Sequence, residues 1–155
     1  ITDLPLFSED IREIPEGVQK IAEAIREEDG LIFSTPEYDH AITAALKSLI
    51  EWLSWIKPQP LNSLPVMIVG VSLGNMGTGF ARENLRQILS SPGLDGCVLP
   101  SKQFLLGRAA EAFNQQAELI DERAISWLER CFYNVMIYGK TLKPVGLPSL
   151  KKEND

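Results

Sequence analysis

Cysteine is scarce in this chain. Cys97 and Cys131 are the only two, far apart and without C-x-x-C spacing, so no thiolate metal site and no dithiol redox centre is expected. Both read as buried apolar residues. Histidine is scarcer still: His40 stands alone and is expected to start a helix rather than to move protons, and no metal site is expected. Basic runs are missing apart from Lys151-Lys152, and the net charge is −6. That balance excludes a surface built for nucleic acid or an anionic membrane, which needs concentrated Lys and Arg. No apolar window is long and uninterrupted enough to span a bilayer. There is no internal repeat, no low-complexity tract, no G-x-G-x-x-G dinucleotide fingerprint and no G-x-x-x-x-G-K-[ST] triphosphate loop.

An early methionine is lacking too. The chain opens on Ile1, and its first Met is Met67, whereas a bulky residue after an initiator methionine normally keeps that methionine. Ile1 is therefore expected not to be the native start. Ile1 to Phe7 reads as the exit of a strand and the loop after it. No secretory leader precedes the cysteines, and a reduced, cytoplasmic compartment is the plain reading.

What is present suits one globular domain. The 155 residues are 45% hydrophobic and 23% charged, a balance that leaves a core to bury. Pro15 suits the first turn of a helix, and Val18, Ile21, Ala22 and Ile25 recur at the spacing of one buried face up to Glu28. Gly30 ends that helix and opens a strand, Leu31-Ile32-Phe33, which stops at Ser34-Thr35-Pro36-Glu37-Tyr38-Asp39-His40. The next stripe, Ile42, Leu46, Leu49, Ile50 and Leu53, predicts a helix of roughly four turns, with Lys47 and Glu51 paired on its outer side and a halt at Pro58 and Pro60. Trp52, Trp55 and Ile56 read as core or subunit contact. Lys57 to Leu64 reads as a surface loop.

The pattern then repeats. Val66 to Val71 is a second buried strand, Ser72-Leu73-Gly74-Asn75-Met76-Gly77-Thr78-Gly79 is a glycine-rich loop, and Phe80, Leu85, Ile88 and Leu89 predict the helix after it, closed by Ser91-Pro92-Gly93. A strand at Gly96 to Leu99 breaks at Pro100 and resumes at Gln103 to Leu106, as an edge strand interrupted by proline does. The last helix opens with Asp121 and Glu122, presents Ala124, Trp127, Leu128, Cys131, Val135 and Tyr138 on one side, and runs to Gly139; residues 141–155 read as a C-terminal tail. Strands alternating with helices predict a doubly wound parallel α/β sheet, because parallel strands need helical crossovers. In such sheets ligands sit at the carboxyl ends of the strands, and both polar loops open onto that edge.

Thr35-Pro36-Glu37-Tyr38-Asp39-His40, then Leu46-Lys47, then Glu51-Trp52-Leu53 resemble the NADPH-dependent FMN reductase family, a flavodoxin-like group that includes chromate, quinone and azo-dye reductases. Ser72 to Gly77 sits at the family's second flavin-facing loop, and Asp121-Glu122-Arg123 where its last helix begins. The resemblance covers nearly the whole chain. It implies a three-layer flavodoxin-like fold lacking its first strand and helix, hence a single domain over residues 1–155 that is incomplete at its amino end. It also implies bound FMN, NADPH or NADH as co-substrate, and hydride passing through the flavin to a quinone, azo compound, free flavin or metal oxyanion. The cofactor-facing residues it implies are Thr35, Pro36, Glu37, Tyr38, Asp39, Ser72, Gly74, Asn75, Met76 and Gly77. No acid, base or nucleophile need be invoked, since the cofactor carries the electron chemistry.

A small-molecule acceptor and a homodimer or homotetramer are further implications, and a flavodoxin-like electron carrier or a flavin-free fragment is the alternative. Two departures stand out. Asp39 replaces the family's usual Asn, a carboxylate expected to lower the flavin potential. The Gly-Ser-x-Arg-x-x-Ser phosphate loop has no counterpart in the sequence, and a front portion carrying it is expected in the parent protein. Taken alone, Pro36-Glu37-Tyr38 is also compatible with an ordinary strand-to-helix turn, and the glycine loop with a structural one. Arg82, Arg86 and Arg108 read as solvated charges, with a nucleotide phosphate as the other reading.

Overall fold

The structure is a computed structural model that describes residue 1, residues 3–101 and residues 103–142. In chain order the elements are α1 (Glu16–Arg26), β1 (Leu31–Ser34), α2 (Ala44–Trp55), β2 (Pro65–Val71), α3 (Gly79–Leu89), β3 (Cys97–Val98), β4 (Phe104–Leu106), α4 (Ala109–Ala112) and α5 (Glu122–Leu142). All strand pairs are parallel. β1 lies along one side of β2, with Leu31 opposite Val66 and Ser34 opposite Val69. β3 and β4 share the other side: β3 meets Pro65 and Val66, and β4 meets Val69 to Val71. The strand broken at Pro100 is therefore one lane in two pieces, as its sequence predicts. Among the described residues ahead of α1 there is no strand; Pro5 and Phe7 lie against α2, where the Phe7 N–H donates to Ser48 Oγ at 2.7 Å and the Trp52 indole N–H to the Pro5 carbonyl at 2.9 Å.

The side-chain period of two along β2 divides the core into two layers. Val66 and Ile68 join Phe33 and the buried faces of α1, α2 and α3, centred on Val18, Ile50, Trp52 and Leu85. Met67 faces the other way, into a smaller cluster with Phe104, Leu106, Ala124, Cys131 and Val135. Helices thus cover both faces of the sheet. Truncating Ile50 or Leu85, both fully buried, to alanine would cost about 2–5 kcal/mol. The Trp52 ring is buried edge-on to Phe7, with centroids 4.9 Å apart, so most of the aromatic stripe is core; Trp55 remains partly exposed. The predicted Lys47–Glu51 ion pair forms.

Several sequence expectations need correction. Phe80 was expected on the buried face of α3 and Arg82 among solvated charges, but Phe80 is 48% exposed and Arg82 only 6%. Helical phase explains the exchange. At about 100° per residue Arg82 lies about 60° from Leu85 and Phe80 about 140° away, so the Ala81–Leu85–Leu89 stripe carries Arg82 inward. Burial lowers the Arg82 pKa from its ordinary value, opposed by Glu83, whose Oε1 accepts from Nη2 at 2.8 Å. The loop expected at the surface between α2 and β2 sinks Leu61 completely into the core, with Gln59 Oε1 accepting the Leu61 and Asn62 N–H groups. Cys131 is buried as expected, whereas Cys97 is only half-buried. Asp121 caps α5, its Oδ1 accepting Arg123 N–H at 2.8 Å and Ala124 N–H at 2.9 Å. That helix continues past Gly139 to Leu142, so the expected tail starts inside it; the rest of the tail, residues 143–155, lies outside the described residues.

One edge of the sheet is open. Among the described residues β1 pairs only with β2, Ile32 is 47% exposed, and a cavity of about 280 Å³ lies between β1 and α5, lined in part by Gly30, Ile32, Phe132 and Met136.

Candidate functional site

Parallel strands bring the loops after β1, β2 and β4 to one edge of the sheet, so Tyr38 and Gly74 occupy the same rim. Gly70, near the end of β2, is where the first two loops meet. A Cβ there would lie 2.7 Å from the Thr35 carbonyl oxygen and 2.1 Å from Thr78 Oγ1, so only glycine lets both loops close on the strand. Thr35, itself buried, is tied to β2 by its N–H to the Val69 carbonyl at 3.1 Å.

The first loop is a tight reversal. Tyr38 and Ala41 exchange both backbone hydrogen bonds at 3.0 Å, and the two residues between them, Asp39 (φ 48°) and His40 (φ 64°), are both left-handed. That is the geometry of a two-residue primed turn. His40 therefore belongs to the turn, not to a helix start; α2 begins at Ala44, with Thr43 Oγ1 accepting the Leu46 N–H at 3.2 Å. The reversal lays the His40 ring edge-on against Phe80, with centroids 4.4 Å apart, and leaves Tyr38 64% exposed. Glu37 is engaged by the protein: its Oε2 accepts the N–H groups of Phe80 at 2.9 Å and Ala81 at 3.0 Å.

Ser72 organises the second loop. Its Oγ donates to the Gly74 carbonyl and accepts the Gly77 N–H, both at 3.0 Å. Gly77 has φ 57°, and a Cβ there would meet the Leu106 nitrogen at 2.7 Å. By contrast, a Cβ on Gly74 would point into open space. The N–H groups of Leu73, Gly74, Asn75 and Met76 donate to no acceptor among the described residues, and Leu73 and Met76 are largely exposed. A rim of free backbone donors flanked by exposed apolar side chains suits a flat, mostly apolar ring with polar edge atoms.

A third loop, which the sequence reading did not assign to the site, completes the edge. A Cβ on Gly107 would lie 2.7 Å from the carbonyl oxygens of both Gly74 and Asn75, so this loop rests directly on the second. The Arg108 N–H donates to the Gly74 carbonyl at 2.9 Å, and the Ala109 N–H to the Ser72 carbonyl at 3.0 Å. The available signal was Gly107, which follows Phe104-Leu105-Leu106 as the earlier loops follow their strands. The break at Pro100 hid it. Of the ten residues singled out from the sequence, Thr35 to Asp39 lie in the first loop and Ser72 and Gly74 to Gly77 in the second; Gly70, not among them, is where the two loops meet. The Glu37 side chain is turned onto α3, and Thr35 is buried, with its N–H on the Val69 carbonyl and its hydroxyl donating to the Pro36 carbonyl at 2.9 Å.

An open parallel sheet layered by helices on both faces, with three loops gathered at its carboxyl edge, is the architecture of a flavodoxin-like α/β protein. The likeness to solved structures agrees: the chain superposes on the flavoenzyme NAD(P)H:(acceptor) oxidoreductase FerB from Paracoccus denitrificans with a TM-score of 0.73, at 23% identity, over 90% of this chain and 77% of that one. Residues 1–111 match the family described as NADPH-dependent FMN reductase, and the chain belongs to that family. It is 45% identical to the NADH:(hydroxy)cinnamate reductase subunit CrdA of Vibrio ruber, over 92% of this chain and 70% of that protein. It is 36% identical to the quinone reductase of Escherichia coli K12, over 83% and 69%. The protein is an NAD(P)H-dependent flavin oxidoreductase with FMN as its cofactor. The residues present fit the ring of that cofactor. No helix among the described residues is long and apolar enough to cross a membrane.

Proposed function

We propose that Thr35 to Asp39 and Ser72 to Gly77 hold the isoalloxazine of FMN between the first two loops and that the protein reduces a quinone. The observation that carries this reading is the closure of both loops on Gly70, beside the N–H groups of Leu73 to Met76, which have no acceptor among the described residues. Bound there, FMN would supply the redox chemistry that links hydride donation by NAD(P)H to reduction of the acceptor. The protein's share is orientation. The backbone donors of the second loop would hold the polar edge of the ring, exposed Tyr38 and Met76 would offer it apolar contact, and Glu37 ties the first loop to α3. The quinone reductase relative supports a flat, uncharged acceptor on the open ring face. The test is spectroscopic: the purified protein should be yellow and bleach anaerobically with NAD(P)H, and menadione should restore its colour. Retained flavin without NAD(P)H oxidation would favour an electron carrier, and no flavin after excess FMN a non-catalytic fragment.

The phosphate-anchoring segment is absent from the sequence. The open edge of β1 and the apolar cavity beside α5 are the place we assign to a strand and helix ahead of residue 1, which would make the domain whole; the intact mass of the purified protein tests this. A cytoplasmic location fits two free thiols, and fractionation checks it. Assembly as a homodimer or homotetramer would use the exposed Trp55 and Phe80, a point that sedimentation decides.

A further inference from the structure

The geometry points to Arg108 as the residue that binds a phosphate of the nicotinamide nucleotide. This rests on the flavin reading above and deepens it. The three carboxyl-edge loops, residues 35–43, 72–78 and 107–108, contain Glu37 and Asp39 but only one Lys or Arg, which is Arg108. The whole chain carries a net charge of −6. NADH and NADPH bring a doubly charged pyrophosphate to that acidic edge, and an approach without a cation would be repelled.

The guanidinium is placed for the task. Its backbone is left-handed, φ 53° and ψ 46°, a conformation that is costly for a β-carbon residue and persists only when the surroundings enforce it. Here they do, through the two backbone bonds onto the second loop and the flush contact of Gly107. The Arg108 Nε donates to Asn75 Oδ1 at 3.1 Å, which fixes the plane of the group while the side chain stays 65% exposed. Of the two Nη atoms, Nη1 has only Glu111 Oε2 nearby, at 4.0 Å. An arginine held by Nε, with Nη1 in only a long, exposed ion pair and Nη2 without a partner among the described residues, presents the planar fork that takes two oxygens of one phosphate. The other cations considered from the sequence are engaged elsewhere: Arg82 is buried against Glu83, and Arg86 is mostly buried with the same carboxylate 3.8 Å away.

The test compares Arg108→Ala and Arg108→Asn, the latter tolerating the left-handed backbone without the charge, in steady-state and anaerobic stopped-flow assays. The donors are NADH, NADPH and 1-benzyl-1,4-dihydronicotinamide, which has no phosphate; the acceptors are menadione and 4-hydroxycinnamate. Both variants should raise KM for NADH and NADPH about tenfold with kcat within twofold, leave KM for the benzyl donor and for menadione unchanged, and flatten the salt dependence of KM for NADH. Arg108→Lys should recover part of the loss. An unchanged KM for NADH and NADPH overturns the assignment. So does an equal rise with the benzyl donor, which would mean general damage to the site, or a rise confined to 4-hydroxycinnamate, which would make the anion an acceptor carboxylate. If wild-type protein is not bleached by either kind of donor, the flavin reading itself fails and this one with it; bleaching of the wild type with unaltered variants overturns this one alone.

Discussion

The Glu37 carboxylate, on the loop after β1, accepts the N–H of Phe80 in the first turn of α3 at 2.9 Å, across 43 positions of sequence. The same oxygen takes the Ala81 N–H at 3.0 Å. Thr78, at the cap position of α3, makes no side-chain cap bond, so the first free N–H groups of this helix are satisfied from another loop. The bond does two things at once: it stabilises a helix terminus, where a negative charge is favoured, and it ties the loop after β1 to the helix that follows the loop after β2.

Glu37→Ala should therefore destabilise the protein by about 1–3 kcal/mol and weaken FMN binding together with it. Glu37→Gln keeps an acceptor oxygen and should lose less in both. Urea unfolding midpoints and flavin fluorescence titrations measure the two effects; an unchanged midpoint in Glu37→Ala would contradict the role drawn from the geometry.

Gly70→Ala places a methyl group against the Thr35 carbonyl oxygen and Thr78 Oγ1. Thr78 can be trimmed but the carbonyl cannot, so the first loop must move. The expected cost is about 1–3 kcal/mol, with loss of flavin retention that Thr78→Ala restores only in part. Full rescue by the double variant would show that the hydroxyl alone sets the fit.

Asp39 stands with φ 48° in the primed turn, and Asn occupies that conformation at least as easily. Asp39→Asn should leave the fold intact while removing a negative charge from the loop proposed to hold the flavin. The midpoint potential of bound FMN should rise on the order of tens of millivolts, measured by dye-equilibrated reduction. A fall in potential, or no change, would mean that the carboxylate does not act on the ring.

Tyr138 supplies an alkaline signature. Burial raises its pKa above the ordinary 10.0, the neighbouring Cys97 adds to the rise and Arg86 opposes it. In the unfolded chain the hydroxyl ionises first, so the unfolded state sheds a proton that the folded state keeps. The contribution is thus fully present below about pH 10 and is lost as the pH climbs through the folded value. Melting temperatures between pH 8 and 11 should fall less steeply in Tyr138→Phe than in the wild type.

Most of the scaffold could be read from local pattern. The burial of Val18, Ala22 and Ile25, of Leu46, Leu49, Ile50 and Leu53, and of Val66 to Ile68 follows from periods of 3.6 and 2, which a sequence displays directly. Phe80 and Arg82 were misread because two residues at the start of a helix do not fix its rotation; the packing of Ala81, Leu85 and Leu89 does. The Gly107–Arg108 loop escaped notice because β4 is three residues long, cut from β3 by Pro100, and joins the sheet only by pairing with a strand more than 30 positions earlier.

By itself the sequence determined the succession of strands and helices, the two polar loops that follow the strands and the family to which they belong, since each is encoded in neighbouring residues: apolar period, turn chemistry, a contiguous motif. Tertiary structure alone decided that Glu37 caps a distant helix, that Gly70 is the point where two loops touch, and that Arg108 rests on Asn75 with its side chain largely exposed. Those relationships join residues tens of positions apart, and they exist only once parallel pairing has brought the carboxyl ends of the strands to one edge.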